Sequence, residues 1–300
     1  MTGRLFIFGL GFSGLEIARL ARAHGWTVAG TCTTADKAAR LTAEGIETQL
    51  FDGTRGLDET AISEPTHILC TIAPGSTGDP AIARCAPLLR RAHWLGYLST
   101  TGVYGDHDGG WVDEETPAQP TLERSIARLD AEHAWQAVAR EAGAALDIFR
   151  LPGIYGPGRS TLDQVRAGTA RRIDKPGQVF SRIHVADIAG TVLAALGRPH
   201  AAGVYNVADD LPAPTSEVVA FTCELLGRPV PPLIPWAEVE PTLSAMARSF
   251  YAESRRVRND RIKRELGVVL RYPTYREGLT AIAAADPRPS QRAARGQPAC

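Results

Sequence analysis

The chain has 300 residues, 44% of them hydrophobic and 22% charged, and its 33 basic residues balance 33 acidic ones to a formal net charge of zero. This is a globular composition, large enough for one domain or for a domain with a smaller lobe. The neutral balance leaves no electrostatic footprint for nucleic acid or an anionic membrane surface, so neither is expected as a partner.

Five cysteines occur, none in a C-x-x-C pair. They read as free thiols in a reducing compartment, which makes the cytoplasm the expected location and leaves no metal site in view. No run reaches the roughly 18 apolar residues that a membrane span needs.

The opening MTGRLFIFGLGFSG predicts a first strand over 4–8. Its apolar run is too short for a signal peptide. A helical pattern follows through Leu15, Ile17, Ala18 and Leu20, closed at Gly25. Further strands are predicted at 27–31, 46–51, 67–73, 94–100 and 146–151, and helices at 35–44 and about 121–142. Strands alternating with helices imply right-handed crossovers and a doubly wound parallel sheet of the Rossmann α/β type.

After Pro152 the pattern loosens and proline and glycine become frequent. Helices are expected at 216–226 and 259–266, and a return to the sheet near 180–195 and 204–207. The dinucleotide domain is therefore assigned to 1–152 plus about 180–207. A small substrate lobe takes 153–179 and 208–285, with Pro231 and Pro232 ordering a loop over the cleft and Trp236 suited to that loop or, better, to plain core packing. Residues 286–300 lack periodicity and read as a disordered tail.

Gly9, Gly11 and Gly14 form G-x-G-x-x-G between the first strand and the first helix. In that setting the glycines let the backbone approach a pyrophosphate, and the helix N-terminus offers free N–H groups to it. Phe12 and Ser13 belong to the same cradle. An NAD site commonly ends its second strand in Asp or Glu, which bonds the ribose 2′-hydroxyl. Here Cys32 stands about there, while Thr33, Thr34 and Lys37, with Arg40 one turn on, can donate to a 2′-phosphate. NADP is the expected cofactor and NAD the alternative. Thr33, Thr34 and Asp36 equally suit the cap of the second helix. Asp52 is a candidate to contact the adenine.

Four further segments complete a pattern: STTGVYG at 99–105, RLPGIYGPG at 150–158, RIHVADIA at 182–189 and VYNV at 204–207. With the glycine turn they make the chain resemble the extended short-chain dehydrogenase/reductase superfamily, in its NAD-dependent epimerase/dehydratase group, over roughly residues 3–282. The resemblance implies a dinucleotide held on the sheet, with Ala73, Pro74, Leu151 and Gly153 against it, and a C-terminal lobe closing on a small-molecule substrate. It also implies a Ser/Thr, a Tyr and a Lys four residues after the Tyr as the chemical set. Thr100 matches the Ser/Thr.

The Tyr–Lys pair is missing. Only Lys37, Lys175 and Lys263 are lysines, no Tyr-x-x-x-Lys exists, and Arg124 and Arg128 stand at the two places. Arg128 can bond the nicotinamide ribose and supply positive charge. Arg124 cannot give up a proton near neutral pH. The pair also suits a solvated helix face with Arg128 bonded to Glu132. Replacement proton carriers are Tyr104, Tyr155 and His184, the last better suited to packing with a bond to Asp187 or the backbone, and Asp187 itself is read as structural. Asp79 lies where the family places an active-site Asn, or it only caps a helix. The expected function is an NAD(P)-dependent oxidoreductase or epimerase acting on a small polar, sugar-nucleotide-like molecule. The alternative is a non-catalytic NADP(H)-binding sensor or regulator. A homodimer is expected by analogy of fold.

Overall fold

The computed structural model describes residues 3–57, 66–197, 200 and 202–285; the tail expected at 286–300 lies outside them. The first half alternates strand and helix: β1 (Arg4–Phe8), α1 (Phe12–Ala23), β2 (Thr27–Cys32), α2 (Ala35–Ala43), β3 (Glu47–Leu50), β4 (His67–Cys70), α3 (Pro80–Leu89) and β5 (Trp94–Thr100). A 3-10 turn (Thr101–Tyr104) leads through the short β6 (Trp111–Val112) to α4 (Glu123–Ala142) and β7 (Ala145–Leu151). Next come β8 (Gly153–Tyr155), α5 (Thr161–Arg166), β9 (Arg172–Asp174), β10 (Arg182–His184), α6 (Val185–Gly197) and β11 (Val204–Asn206). The remainder is α7 (Thr215–Leu225), β12 (Leu233–Pro235), α8 (Trp236–Val239), α9 (Ala245–Phe250), β13 (Arg256–Val257), α10 (Asp260–Glu265) and α11 (Tyr275–Ala285).

Seven strands form one sheet in the order β11-β7-β5-β4-β1-β2-β3, every adjacent pair parallel. Strands buried on both faces read as continuous apolar runs. In β1, Leu5 and Ile7 face a core shared with Ile17 and Ala18 of α1 and Ile188 and Val192 of α6. Phe6 and Phe8 face the opposite core with Leu88 of α3 and Trp135 of α4. The chain reverses its winding between β1 and β4, and such a switch point opens a crevice at the carboxyl ends of the strands.

The expected return of 180–195 to the sheet does not occur. Residues 182–184 pair instead with β8, Arg182 beside Gly153 and His184 beside Tyr155. Residues 185–197 are helix α6, which packs on α1. Buried Val185, Ile188, Ala189, Val192 and Leu196 recur at helical spacing, which buries them only as a helix. Only β11 rejoins the sheet, at its edge. Two other short parallel ladders, β12 on β9 and β13 on β6, order the C-terminal lobe.

Candidate functional site

The glycine turn is built by sterics. Gly9 has φ +91°, a left-handed conformation that glycine alone adopts cheaply. A Cβ on Gly14 would lie 2.2 Å from the Gly9 carbonyl oxygen, so the third glycine is what lets α1 sit against β1. A Cβ on Gly11 would meet nothing within 4 Å. The turn is pinned on both sides: the Gly9 N–H donates to Thr31 Oγ1 (2.9 Å), and the Thr71 hydroxyl donates to the Gly9 carbonyl (2.6 Å). Gly11 is the N-cap of α1, with no side-chain cap and no acidic residue in the first turn. The helix end therefore presents bare amides and a partial positive charge to a linked pair of phosphates. Ser13 is buried beneath the turn, and the Phe12 ring lies 5.5 Å from the Arg159 guanidinium carbon.

A recess of about 200 Å³ opens on one side of the turn, lined by Gly9, Gly11, Cys32, Thr33, Lys37 and Asp52. Its size and place suit the adenosine end of a dinucleotide. Thr33 is exposed there and no carboxylate ends β2. Thr34 is the N-cap residue of α2 but makes no side-chain cap bond. Asp52 accepts from the Thr54 hydroxyl (2.7 Å) and N–H (2.8 Å), bonds that hold its carboxyl below the ordinary range.

A cleft of about 900 Å³ opens on the other side. Ala73, Pro74, Thr100, Arg128, Pro152 and Gly153 line its sheet end. Thr100 ends β5, and its Oγ1 accepts from the Gly102 N–H (3.1 Å). Arg128 donates to the Leu98 carbonyl (2.9 Å) and to the Tyr97 hydroxyl (3.1 Å), which fixes its guanidinium at the carboxyl end of the sheet. Leu151 is buried in the core beneath.

Several candidates stand elsewhere than the sequence suggests. Arg128 does not pair with Glu132. That carboxylate is 1% exposed and takes Arg150 in a two-pronged bond (3.1 and 2.7 Å) along with the Ser99 hydroxyl. Arg124 is exposed, as the solvated-face reading has it, yet it also bonds the Ser249 hydroxyl and carbonyl and stacks over Phe250 (4.8 Å), fastening α9 across the cleft mouth. Tyr104 is fully buried. Its hydroxyl donates to Asn206 Oδ1 (2.8 Å), Arg150 covers its ring at 4.8 Å, and burial pushes its pKa up.

Asp79 is buried at the start of α3, accepting from the Ala81 N–H (2.8 Å), the Ile82 N–H (3.3 Å) and Trp135 Nε1 (3.0 Å). Burial raises its pKa too. His184 is packed between Tyr155 (5.2 Å) and Tyr272 (4.2 Å) with its pKa pushed down to about 4 by burial, so it is neutral near pH 7. Asp187 accepts from the Arg271 and Tyr272 amides (2.6 and 3.1 Å). Of the proposed proton carriers only Tyr155 lines the cleft, and burial, helped by Asp209, pushes its pKa well up.

The sequence reading missed the lobe side of the cleft, which includes Arg159, Arg182, Glu253, Arg255 and Tyr275. Arg182 lies inside a quoted motif, but nothing in a one-dimensional pattern says that its side chain meets Tyr275. Among the described residues no three His, Cys, Asp or Glu side chains gather to hold a metal ion, and no helix is long and apolar enough to cross a membrane.

The model of the NAD dependent epimerase/dehydratase family matches residues 84–208. The chain is 27% identical over 217 residues to Protein YeeZ of Escherichia coli K12, covering 68% of this chain and 77% of that one. It is 30% identical over 175 residues to a 3-diazoavenalumate denitrifying reductase of a Streptomyces species, covering 56% and 55%. A functionally unknown conserved protein from Silicibacter pomeroyi DSS is 46% identical, with a TM-score of 0.84 over 94% of this chain and 98% of that one. Fold alone is shared with the human epimerase family protein SDR39U1, solved with NADPH (18% identical, TM-score 0.73, 94% and 99% covered). The same holds for dTDP-glucose 4,6-dehydratase of Bacillus anthracis, solved with NAD (17% identical, TM-score 0.74, 94% and 96% covered).

Proposed function

The chain belongs to the NAD-dependent epimerase/dehydratase family, and from that premise we propose that it is an NADP(H)-dependent oxidoreductase of a small polar molecule, working in a reducing compartment such as the cytoplasm. The observation that carries this reading is the uncapped N-terminus of α1, set between a recess holding Thr33 and Lys37 and a cleft holding Thr100 and Arg128. Thr33 and Lys37 favour a 2′-phosphate over a free 2′-hydroxyl, since a carboxylate in their place would repel it.

When bound, the reduced nicotinamide supplies a hydride to a substrate carbonyl carbon. The Thr100 hydroxyl positions the substrate oxygen at the end of β5. Arg128, fixed by the Leu98 carbonyl, sets a permanent positive charge at the same strand end, where negative charge develops on that oxygen. A guanidinium keeps its protons, Tyr104 is sealed beneath the site, and Tyr155, which lines the cleft, holds its proton tightly because burial raises its pKa. The proton that completes the alcohol therefore comes from water.

A second reading, a non-catalytic NADP(H) sensor, draws on the Arg124–Ser249 tie, which commits the residue at the tyrosine's place to holding α9. Turnover separates the two. The protein is saturated with NADPH and offered aldehydes, ketones and sugar nucleotides while nicotinamide absorbance is followed. On the enzyme reading, Thr100→Val lowers kcat about 100-fold and leaves the NADPH Kd unchanged; an unaltered kcat removes Thr100 from the mechanism. Tight NADPH binding without turnover on the whole panel favours the sensor. Thr33→Asp weakens NADPH by about tenfold or more through charge repulsion; equal affinity in that variant means the ribose lies elsewhere.

A further inference from the structure

Beyond the sheet end, the cleft runs into a recess walled by Tyr155, Phe180, Val218 and Leu279. Two polar groups line it, one a guanidinium without a carboxylate partner and the other a buried hydroxyl without a hydrogen-bond partner among the described residues.

The first is Arg182. Its pairing with β8 brings its Cγ to 3.8 Å from where a Cβ on Gly153 would sit, at the end of the cleft expected to receive the nicotinamide. Its Nη1 donates to the Phe180 (2.8 Å) and Ala213 (2.9 Å) carbonyls, which fix the plane of the guanidinium. Among the described residues no carboxylate comes within ion-pair distance of it. Asp209 acts on it from farther off, but Asp209 is 1% exposed, its Oδ2 has no partner, and burial drives its pKa up to about 8. Burial thus disfavours its charged form and makes it a poor counter-ion for Arg182. A desolvated cation without a counter-ion is a standing cost.

The second is Tyr275. It is 1% exposed, its ring centre lies 6.0 Å from the Arg182 guanidinium carbon, and its hydroxyl has no partner among the described residues. Of the other arginines that line the cleft, Arg255 is committed to Glu253 and the Gly105 carbonyl, Arg124 to Ser249 and Arg128 to the Leu98 carbonyl, while Arg159 lies over the Phe12 ring beside the glycine turn. One acceptor-only group with two oxygens would serve the guanidinium and the hydroxyl together.

We propose that the substrate is a small organic monocarboxylate with an apolar body, its carboxylate bound by Arg182 and Tyr275 and its body laid against Tyr155, Val218 and Leu279. This rests on the oxidoreductase reading, because it places the reducible carbon between the recess and Thr100. A diphosphate suits the recess poorly, since Tyr155, Phe180, Val218 and Leu279 wall it, no lysine lines it, and the uncommitted Arg159 sits over Phe12 at the glycine turn.

The test is calorimetry on the full chain. NADPH binding is measured first, and the saturated protein is then titrated with 3-phenylpropionate, its neutral amide, phenyl phosphate and UDP-glucose. Phenylpropionate binds, and its amide binds at least tenfold more weakly. Phenyl phosphate and UDP-glucose bind more weakly than the acid. Arg182→Leu weakens the acid at least tenfold and Tyr275→Phe about fivefold, while the NADPH affinity of both stays within about twofold. Tyr275→Phe also melts at the same temperature as the parent or higher, because the variant no longer buries an orphan hydroxyl, so its lost affinity is not lost structure. If Arg182→Leu fails to fold, Tyr275→Phe decides alone. Equal binding of acid and amide, unchanged acid affinity in Tyr275→Phe, or tighter binding of phenyl phosphate or UDP-glucose overturns the proposal. NADPH binding with no acid binding sinks the carboxylate alone; no NADPH binding by the parent sinks the oxidoreductase reading and the carboxylate with it.

Discussion

Tyr104 shows how far a side chain's direction departs from its place in a motif. It follows Thr100 at the expected spacing, yet the 3-10 turn aims its hydroxyl down into the protein, where it meets Asn206 on β11. Tyr104→Phe strands a buried acceptor at a cost of about 1–3 kcal/mol. Urea denaturation should register that loss while kcat stays near wild type; a collapsed kcat with unchanged stability would return Tyr104 to the chemistry. The motif glycines were legible in the sequence, because backbone geometry allows little else at those steps. The partnerships of Asp79 with Trp135, Glu132 with Arg150, and Arg182 with Tyr275 were not. Each joins residues far apart in the chain, and no spacing rule reaches across such gaps.

Elements divide along the same line. The strands of the first half announced themselves because each, apart from the half-exposed edge strand β3, is a largely buried run between turn signals, and α1 and α4 because they end at glycines; Gly143 closes α4 in the left-handed region with φ +65°. The ladders of two or three residues in the lobe carry no periodic signal. They exist because a distant partner supplies the hydrogen bonds, as Arg256 and Val257 do for Trp111 and Val112. At the turn between β1 and α1, two substitutions separate architecture from binding. Gly14→Ala drives a methyl into the Gly9 carbonyl and must lift α1 from the sheet, costing about 1–3 kcal/mol as overpacking does. Gly11→Ala meets no protein atom and should melt within a few degrees of the parent, with NADPH affinity reduced about tenfold or more, since the methyl takes the space the phosphates approach through. A Gly11→Ala variant that binds NADPH normally would mean the phosphates lie elsewhere.

At the scale of the molecule, three strongly shifted ionisable groups set opposing pH dependences. His67 and His184 have pKa values pushed down by burial to about 4. Unfolded histidines take up protons near pH 6.5 that the fold refuses, so these two destabilise the protein as pH falls from 6.5 to 4. Asp209, held up to about 8, acts in reverse: the unfolded chain releases that proton near pH 4 and the fold keeps it, so stability falls as pH rises from 4 to 8. Asp79, Glu114 and Asp187, raised less by burial, pull with Asp209 only at the acid end of this range; toward 6.5 the two histidines outweigh Asp209, and above it Asp209 acts alone. Thermal melts should peak near pH 6.5, and Asp209→Asn should flatten the decline from 6.5 to 8, which amounts to at most about 2 kcal/mol. An undiminished decline in that variant would trace it to another group.

The order of strands also has a meaning in time. β11, the last strand of the sheet to be made, is the one that covers β7. On a ribosome adding roughly 5–20 residues per second, β7 waits several seconds for its neighbour. Throughout that interval Ile148, Phe149 and Leu151 border a naked row of amides and carbonyls, ready to pair with any passing strand. The nascent chain is thus most vulnerable to aggregation just before its sheet is finished, and its safety at that moment rests on how quickly residues 204–206 arrive.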